Sequence, residues 1–404
     1  MDECVNVLIL SELTYPHGGG AELGTHLLAN QLAQSGFSIR VITNRFENEP
    51  QKSRQGNLEI FRLPILTDWS GKYSLIMRFD ILISTCFRKL FRWADIVYIP
   101  GGWYSAIPIA KSYGKVVIAH LHDYRPICSL ATMYDLSRNQ ICSSRIRCRP
   151  SCVVSHEMAH GKHPAAVLAS GLTNSSIWPW LSKIIKLCDA LICVSHAQKN
   201  LIASRMRLSE NNCRVIYNLL PNVANAPISS GEMAYFGGPS PLKGYDVLRL
   251  ALQDVKDPVT VHATGFSGKK SQVIGNSTIR FHERLPSWEY ERVSNIVQTV
   301  IAPSIWPEPL PYVVSEAILR GRLVIASRIG GIPEQLEGCP GGFLFEPASH
   351  DHLRELIEHV QRLEPKVVSE LACKDKEVFT QRFDNAKSLR EFMDLLEEKA
   401  RLQG

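Results

Sequence analysis

Two glutamates with seven residues between them, Glu308 and Glu316, stand in the segment Trp306-Pro307-Glu308-Pro309-Leu310-Pro311-Tyr312-Val313-Val314-Ser315-Glu316-Ala317. An apolar run that reads as a strand ends just before it, near Pro303. Pro309 and Pro311 block regular helix ahead of residue 311, and proline is favoured at the first helical position, so a helix should begin about there. Glu308 then lies in a loop and Glu316 about one turn inside the helix. Leu310, Pro311, Tyr312 and Val313 form the helix entry, where first-turn amides lack intrahelical acceptors and favour an anion such as a phosphate. The two carboxylates before and behind that entry are candidates to accept hydrogen bonds from sugar hydroxyls. The plainer reading is a helix cap and a solvated face, since exposed glutamate is common.

Other segments carry chemistry of a related kind. The first apolar run is followed by Ser11-Glu12-Leu13-Thr14-Tyr15-Pro16-His17-Gly18-Gly19-Gly20-Ala21-Glu22, which places three glycines between a strand and a helix. Gly19 and Gly20 let backbone amides approach an anionic donor at a helix start, although a tight turn needs glycine too, and the pattern is not Gly-x-Gly-x-x-Gly. The run Lys115 to Ala119 leads into His120-Leu121-His122-Asp123-Tyr124-Arg125-Pro126. A histidine just past the C-terminal end of a parallel strand sits where such sheets bind ligands, whereas an isolated loop histidine is usually of no chemical consequence. No Asp-x-Asp motif offers ligands for a metal-bridged diphosphate.

Gly237-Gly238-Pro239-Ser240-Pro241-Leu242-Lys243-Gly244-Tyr245-Asp246 and Gly330-Gly331-Ile332-Pro333-Glu334 complete the set. With the spaced glutamates and the His-Asp pair, these segments resemble glycosyltransferase family 4, the retaining enzymes of the GT-B fold, over nearly the whole chain. The resemblance implies that Lys243 binds the donor diphosphate, Glu316 the nucleotide ribose and Glu308 the transferred sugar, and that His122 faces the donor sugar. Asp123 would fix the tautomer of His122 or order its loop. Val194-Ser195-His196 and Tyr217-Asn218 resemble further recurrent stretches, read as interdomain or structural. The family usually has an arginine, a second diphosphate clamp, where Gly238 stands, so charge neutralisation comes from elsewhere or the donor pose differs. The implied reaction is transfer of a sugar from a nucleotide-diphosphate donor to an acceptor sugar or lipid-linked glycan, with no cofactor required. Rival readings are a GT-B epimerase or hydrolase, and a non-catalytic nucleotide-sugar-binding subunit.

A stretch without α/β rhythm, 124–153, holds Cys128, Cys142, Cys148 and Cys152, with 13, 5 and 3 residues between them. Four thiols could ligate a structural zinc, but the spacing lacks a Cys-x-x-Cys knuckle, and buried or oxidisable thiols that stabilise a lid are the plainer reading. The same stretch carries Arg125, Arg138, Arg145, Arg147 and Arg149, either a positive surface for a phosphorylated acceptor or a solvated loop. Tyr73 to Trp93 mixes apolar residues with Arg78, Arg88, Lys89 and Arg92, and suits either an anionic bilayer surface or ordinary packing.

The elements that must hold these residues are legible from the pattern. Continuous apolar runs at Val5 to Leu10, Ile39 to Thr43, Ile96 to Ile99, Lys115 to Ala119, Ala190 to Val194 and Arg214 to Tyr217 suit strands covered on both faces. Helical stripes such as Ala21 to Ser35 and Ala197 to Arg207 alternate with them. The rhythm restarts at Met233 to Phe236 and runs through Val259 to Ala263, Val297 to Ala302, Leu323 to Ala326 and Gly342 to Phe345. The fold class expected is α/β, two Rossmann-like domains facing each other across a cleft: 1–228 on the acceptor side, 229–382 for the nucleotide sugar, and a helix over 383–404 that either caps the second domain or crosses back to the first. In 404 residues the net charge is only +6, which falls short of a nucleic-acid-binding footprint but suits an anionic substrate or membrane surface. No run reaches the roughly 18 residues of a spanning helix, and Met1 to Leu10 has the wrong charge for a secretory signal, so a cytoplasmic, possible peripheral-membrane enzyme is expected.

Overall fold

The computed structural model describes residues 5–64, 79–143, 150–159, 163, 167, 180–208, 212–224, 227–228, 230–283 and 287–401. The chain forms two compact units, Met1–Leu219 with Asn385–Gly404, and Leu220–Asp384. The division falls upstream of residue 228, where composition alone suggested it.

In the first unit, strands β1 (Asn6–Leu10), β2 (Ser38–Asn44), β3 (Lys52–Gln55), β4 (Leu58–Leu63), β5 (Ile96–Ile99), β6 (Val116–Leu121), β9 (Ala190–Cys193) and β10 (Cys213–Val215) form one sheet, ordered β10-β9-β6-β5-β1-β2-β4-β3. All neighbours are parallel except β3 and β4. A hairpin of β7 (Tyr134–Asp135) and β8 (Gln140–Ile141) lies in the inserted stretch. The strand order reverses between β1 and β5, which makes the loops following them the natural walls of a ligand site. β3 and β4 were not anticipated, because the outermost strand is polar and exposed and gives no continuous apolar run.

Helix α1 (Gly20–Gln34) follows β1 and buries Leu28, Ala29 and Leu32. Helix α2 (Thr85–Trp93) is capped by Ser84, whose side chain accepts from the Phe87 amide. Its Phe87, Leu90 and Phe91 face inward at spacings of three and four while Arg88, Lys89 and Arg92 are exposed; Arg78 lies outside the described residues. Helices α3 (Ala106–Ser112), α4 (Pro150–Ala159) and α5 (His196–Met206) follow β5, the hairpin and β9.

In the second unit, β11 (Met233–Tyr235), β12 (Thr260–Thr264), β13 (Ser271–Ile274), β14 (Ser277–His282), β15 (Thr299–Ala302), β16 (Leu323–Ser327) and β17 (Gly342–Phe345) are ordered β13-β14-β12-β11-β15-β16-β17. Only β13 runs antiparallel, and β13 and β14 escaped the sequence reading for the same reason as β3 and β4. The order reverses between β11 and β15. Helices α6 (Tyr245–Gln253), α7 (Ser287–Ile296), α8 (Tyr312–Leu319), α9 (Ile332–Leu336), α10 (His350–Gln361) and α11 (Pro365–Arg382) complete the unit. Helix α12 (Asn385–Arg401) belongs to the first unit: Phe392, Leu395 and Leu396 enter the cluster built on Val7, Ile9, Leu28 and Tyr98. Burial of each such side chain is worth about 1.5–3 kcal/mol, enough to hold the returning helix there.

Helix α11 carries Asp375, which is fully buried and accepts from the Gly341 amide at 2.8 Å, while its second oxygen has no hydrogen-bond partner among the described residues. Burial raises its pKa from 3.8 to about 6, against the opposing effect of the Gly341 hydrogen bond. Because the folded-state pKa is the higher one, the folded chain binds the proton more tightly, and stability falls as pH rises from about 4 through 6. Relative to Asp375→Asn, which cannot ionise, the wild-type unit should therefore lose about 2 kcal/mol between pH 4 and 7.5. Urea unfolding of both proteins at the two pH values measures this; equal pH dependence would contradict it.

Candidate active site

Glu308 and the Lys-Gly segment come together in the second unit, on the loops that follow β11 and β15 on either side of the strand-order reversal. Lys243 Nζ lies 2.7 Å from Glu308 Oε2 and 5.5 Å from the centre of the Trp306 ring. Ser304 Oγ donates to Glu308 Oε1. Glu308 is only 5% exposed, so a solvated surface glutamate is excluded. The two loops are also joined through the backbone, where the Ile305 amide donates to the Leu242 carbonyl at 2.9 Å.

Two glycines make this approach possible. Gly244 has φ +77°, and a Cβ on it would lie 1.7 Å from the Pro303 carbonyl oxygen. Gly330, in the loop after β16, has φ +58°, and its Cβ would lie 2.1 Å from the Glu308 carbonyl oxygen, which accepts from the Gly331 amide at 2.8 Å. A side chain at Gly244 would collide with the backbone of Pro303, and one at Gly330 with the backbone of Glu308 itself.

Helix α8 starts at Tyr312 with Pro311 as its N-cap and no side-chain capping bond, so neither glutamate caps it. Glu316 lies inside the helix and accepts from the Tyr290 hydroxyl at 2.8 Å. Its pKa is raised by burial, which the Tyr290 hydrogen bond and the Arg320 charge only partly oppose. Tyr290 on α7 is a site residue that the sequence did not reveal. It packs on Phe236 with ring centres 4.7 Å apart, and only the fold brings α7 beside α8. The position where the family carries arginine has a local cause for its glycine: Gly238 adopts φ +65°, and its carbonyl accepts from the Tyr235 hydroxyl at 2.8 Å.

In the first unit, His122 follows β6 directly. Its ring lies 4.3 Å from that of His120, which is buried and whose Nδ1 is 2.6 Å from the Tyr98 hydroxyl. Nδ1 of His122 is 3.5 Å from the Asn218 amide nitrogen, and among the described residues its buried Nε2 has no hydrogen-bond partner. Asp123 does not contact the imidazole. It pairs with Arg125, Nε to Oδ2 at 2.9 Å, and accepts the Arg125 amide at 2.9 Å, so its role is to order the loop. Arg125 also pairs with Glu12 at 3.1 Å, which corrects the expectation that it contributes free positive potential; Arg138 is exposed, and Arg145, Arg147 and Arg149 lie outside the described residues.

Gly19 and Gly20 are exposed at the start of α1, but the Gly19 amide donates to Glu22 Oε2 at 2.8 Å. A carboxylate of the protein itself holds that amide, which favours the tight-turn reading of the glycines. Ser195, in the Val194-Ser195-His196 stretch, caps α5. Of the four clustered cysteines, Cys128 and Cys152 are buried, Cys142 is half-buried, and Cys148 lies outside the described residues. Cys152 Sγ is 3.7 Å from the Tyr134 carbonyl oxygen. Among the described residues no three His, Cys, Asp or Glu side chains are grouped to hold a metal, so the zinc reading finds no support there. No helix among them is long and apolar enough to cross a membrane.

Two parallel, doubly wound units with polar side chains gathered at the C-terminal ends of their strands define a GT-B protein. The pattern of Glycosyltransferase Family 4 matches residues 18–220, and that of Glycosyl transferases group 1 matches residues 233–371. The chain belongs to glycosyltransferase family 4, and is a retaining glycosyltransferase working from a nucleotide-diphosphate sugar. It is 22% identical over 358 residues to an uncharacterized 42.6 kDa protein in the cps region of Klebsiella pneumoniae, covering 85% of this chain and 90% of that one. Its fold is that of sucrose-phosphate synthase from Thermosynechococcus elongatus (TM-score 0.72, 13% identity, 98% of each chain covered). The Anabaena protein HepE in complex with UDP and glucose is similar too (TM-score 0.61, 17% identity, 98% of this chain and 100% of that one).

Burial lowers the pKa of His122 from 6.5 to about 4, with the Arg125 charge adding to the effect and Glu12 opposing it. The imidazole is therefore neutral at physiological pH, and it costs stability only as pH falls from 6.5 towards 4, where the unfolded chain takes up the proton first. Its ring-proton NMR signals, assigned by comparison with His122→Asn, should stay constant from pH 8 to about 5.5. A midpoint near 6.5 would show that the ring is solvated.

Proposed function

We propose that the second unit binds the donor through Lys243, Glu308, Glu316 and the entry of α8, and that the first unit supplies His122 and the acceptor contacts. The observation that carries this reading is the Lys243–Glu308 pair, set on the two loops beside the strand-order reversal. Lys243 neutralises the donor diphosphate, and Leu310, Pro311 and Tyr312 bring the start of α8 to it. Glu308 orients hydroxyls of the transferred hexose, and Glu316 exchanges its Tyr290 bond for hydroxyls of the ribose. The neutral His122, whose Nε2 has no partner among the described residues, hydrogen-bonds a sugar hydroxyl without bringing a charge.

Transfer with retention follows by attack of the acceptor hydroxyl on the anomeric carbon from the face that the diphosphate leaves. The carbon–oxygen bond to the phosphate breaks, the new glycosidic bond forms, and the acceptor's proton passes to the leaving phosphate oxygen. Lys243 and the backbone dipoles at α8 stabilise the charge that develops on the leaving group. No protein nucleophile is required.

A polysaccharide precursor or lipid-linked glycan is the acceptor we infer, supported by the similarity to a protein of a cps region. The basic exposed face of α2, with Arg88, Lys89 and Arg92, suits peripheral contact with an anionic membrane. UDP-hexoses are the first donors to test, since HepE was solved with UDP and glucose.

Thermal shift against UDP-, GDP-, ADP- and TDP-sugars selects the donor, because saturation at a hundredfold the dissociation constant adds about 2.7 kcal/mol of stability. Calorimetry with that donor should then show Lys243→Ala and Glu316→Ala each weakening binding roughly tenfold to a hundredfold, the equivalent of a charged hydrogen bond of about 1.5–3 kcal/mol. Unchanged affinity in both variants would overturn the site assignment.

A further inference from the structure

Glu12 had no part in the reading of the sequence, yet it sits at the junction of the loops that surround His122. It follows β1 and is 8% exposed. Its Oε1 accepts from the Gly102 amide, in the loop after β5, and lies 3.1 Å from Arg125 Nη1, in the loop after β6. Arg125 holds Asp123, and the Asp123 carbonyl accepts from Gln198 Nε2 on α5, after β9, at 3.1 Å. One carboxylate thus begins a chain of contacts through the C-terminal ends of β1, β5, β6 and β9.

The backbone is shaped around that carboxylate. A Cβ on Gly101 would lie 1.9 Å from Glu12 Oε2, and one on Gly102 2.4 Å from Oε1 and 2.6 Å from Arg125 Nη1. A nearly buried ion pair is a costly way merely to stabilise a loop, because desolvation consumes much of the attraction. What the planar guanidinium adds is direction, fixing the loop that holds it in one orientation. His122 gains most from this. Its imidazole packs beside His120 and Asn218 and has no contact with Asp123, so the backbone of residues 122–125 sets how far the ring reaches.

We propose that Glu12 is a positioning residue for sugar transfer: it ties the loops after β5 and β6 so that His122 is presented to the donor sugar, without itself touching substrate. This rests on the role proposed for His122. The group that Glu12 orders lies in the first unit, whereas the residues assigned to donor affinity lie in the second, so a loss of Glu12 should appear in turnover and not in donor binding.

The test uses the full chain and the nucleotide sugar selected by thermal shift, with turnover followed as release of the nucleoside diphosphate. Glu12→Gln keeps an oxygen for the Gly102 amide but loses the charge opposite Arg125; Glu12→Asp keeps the charge on a shorter arm. Each should lower kcat at least tenfold and leave the donor dissociation constant within twofold of wild type. In a His122→Ala background Glu12→Gln should cause no further loss, because residues acting as a unit are not additive. Unchanged kcat in both single variants overturns the proposal, as does a full additional loss in the double variant. If His122→Ala alone leaves kcat unchanged, the role of His122 falls and takes this proposal with it, whereas intact turnover in the Glu12 variants beside a crippled His122→Ala removes Glu12 alone. Should Glu12→Gln fail to fold, Glu12→Asp and its double variant with His122→Ala carry the same comparison.

Discussion

The second unit is organised around a carboxylate that is almost withdrawn from water. Glu308 keeps a nearly buried charge-bearing group because Lys243 and Ser304 meet its two oxygens and the Gly331 amide meets its carbonyl. An unpaired carboxylate in that position would cost far more than the loops could return. The need for partners on both sides explains why the loops after β11, β15 and β16 approach so closely, and why Gly244 and Gly330 stand where a Cβ would touch carbonyl oxygens. In the role proposed for it, a lysine held opposite a glutamate is already oriented when a diphosphate arrives to share it.

The first unit solves an analogous problem with different residues. Glu12, Arg125 and Asp123 form its buried polar junction, again at the C-terminal ends of strands beside the reversal of strand order. Burial works against the charge of Arg125, but Asp123 and Glu12 outweigh it and hold the guanidinium firmly protonated. His122 is treated in the opposite way. Burial, with the Arg125 charge beside it, outweighs the opposing charge of Glu12 and keeps it neutral. A fixed charge that orders a loop and an uncharged imidazole, proposed to meet the sugar, are thus separated by only a few residues, and environment alone distinguishes them.

Much of the scaffold could be read from the chain. The strands beginning near Val5, Ile96, Ala190, Met233, Leu323 and Gly342 showed as continuous apolar runs because they are covered on both faces, and the structure places them within a residue or two of those limits. The strands that were missed, β3, β4, β13 and β14, lie at or next to sheet edges, where one face meets water and the run is broken by polar residues. The stripe Leu389, Phe392, Met393, Leu396 marked α12 as a packing helix, but periodicity does not name the surface that a helix covers. The returning contact with Tyr98 is a product of the tertiary fold.

The sequence by itself determined the family, the two α/β units and the candidate chemistry at Lys243, Glu308, Glu316 and His122, because motifs and apolar periodicity are local properties of the chain. Only the tertiary structure decided what each of those residues touches. Tyr290 reaches Glu316 from another helix, 26 residues away. Glu12 reaches Arg125 over a separation of 113 residues. Asp123 turns from the neighbouring histidine to Arg125, and the Gly19 amide goes to Glu22. Charge pairing and burial depend on distance in space, and the parallel topology, which brings remote strand ends together, sets that distance.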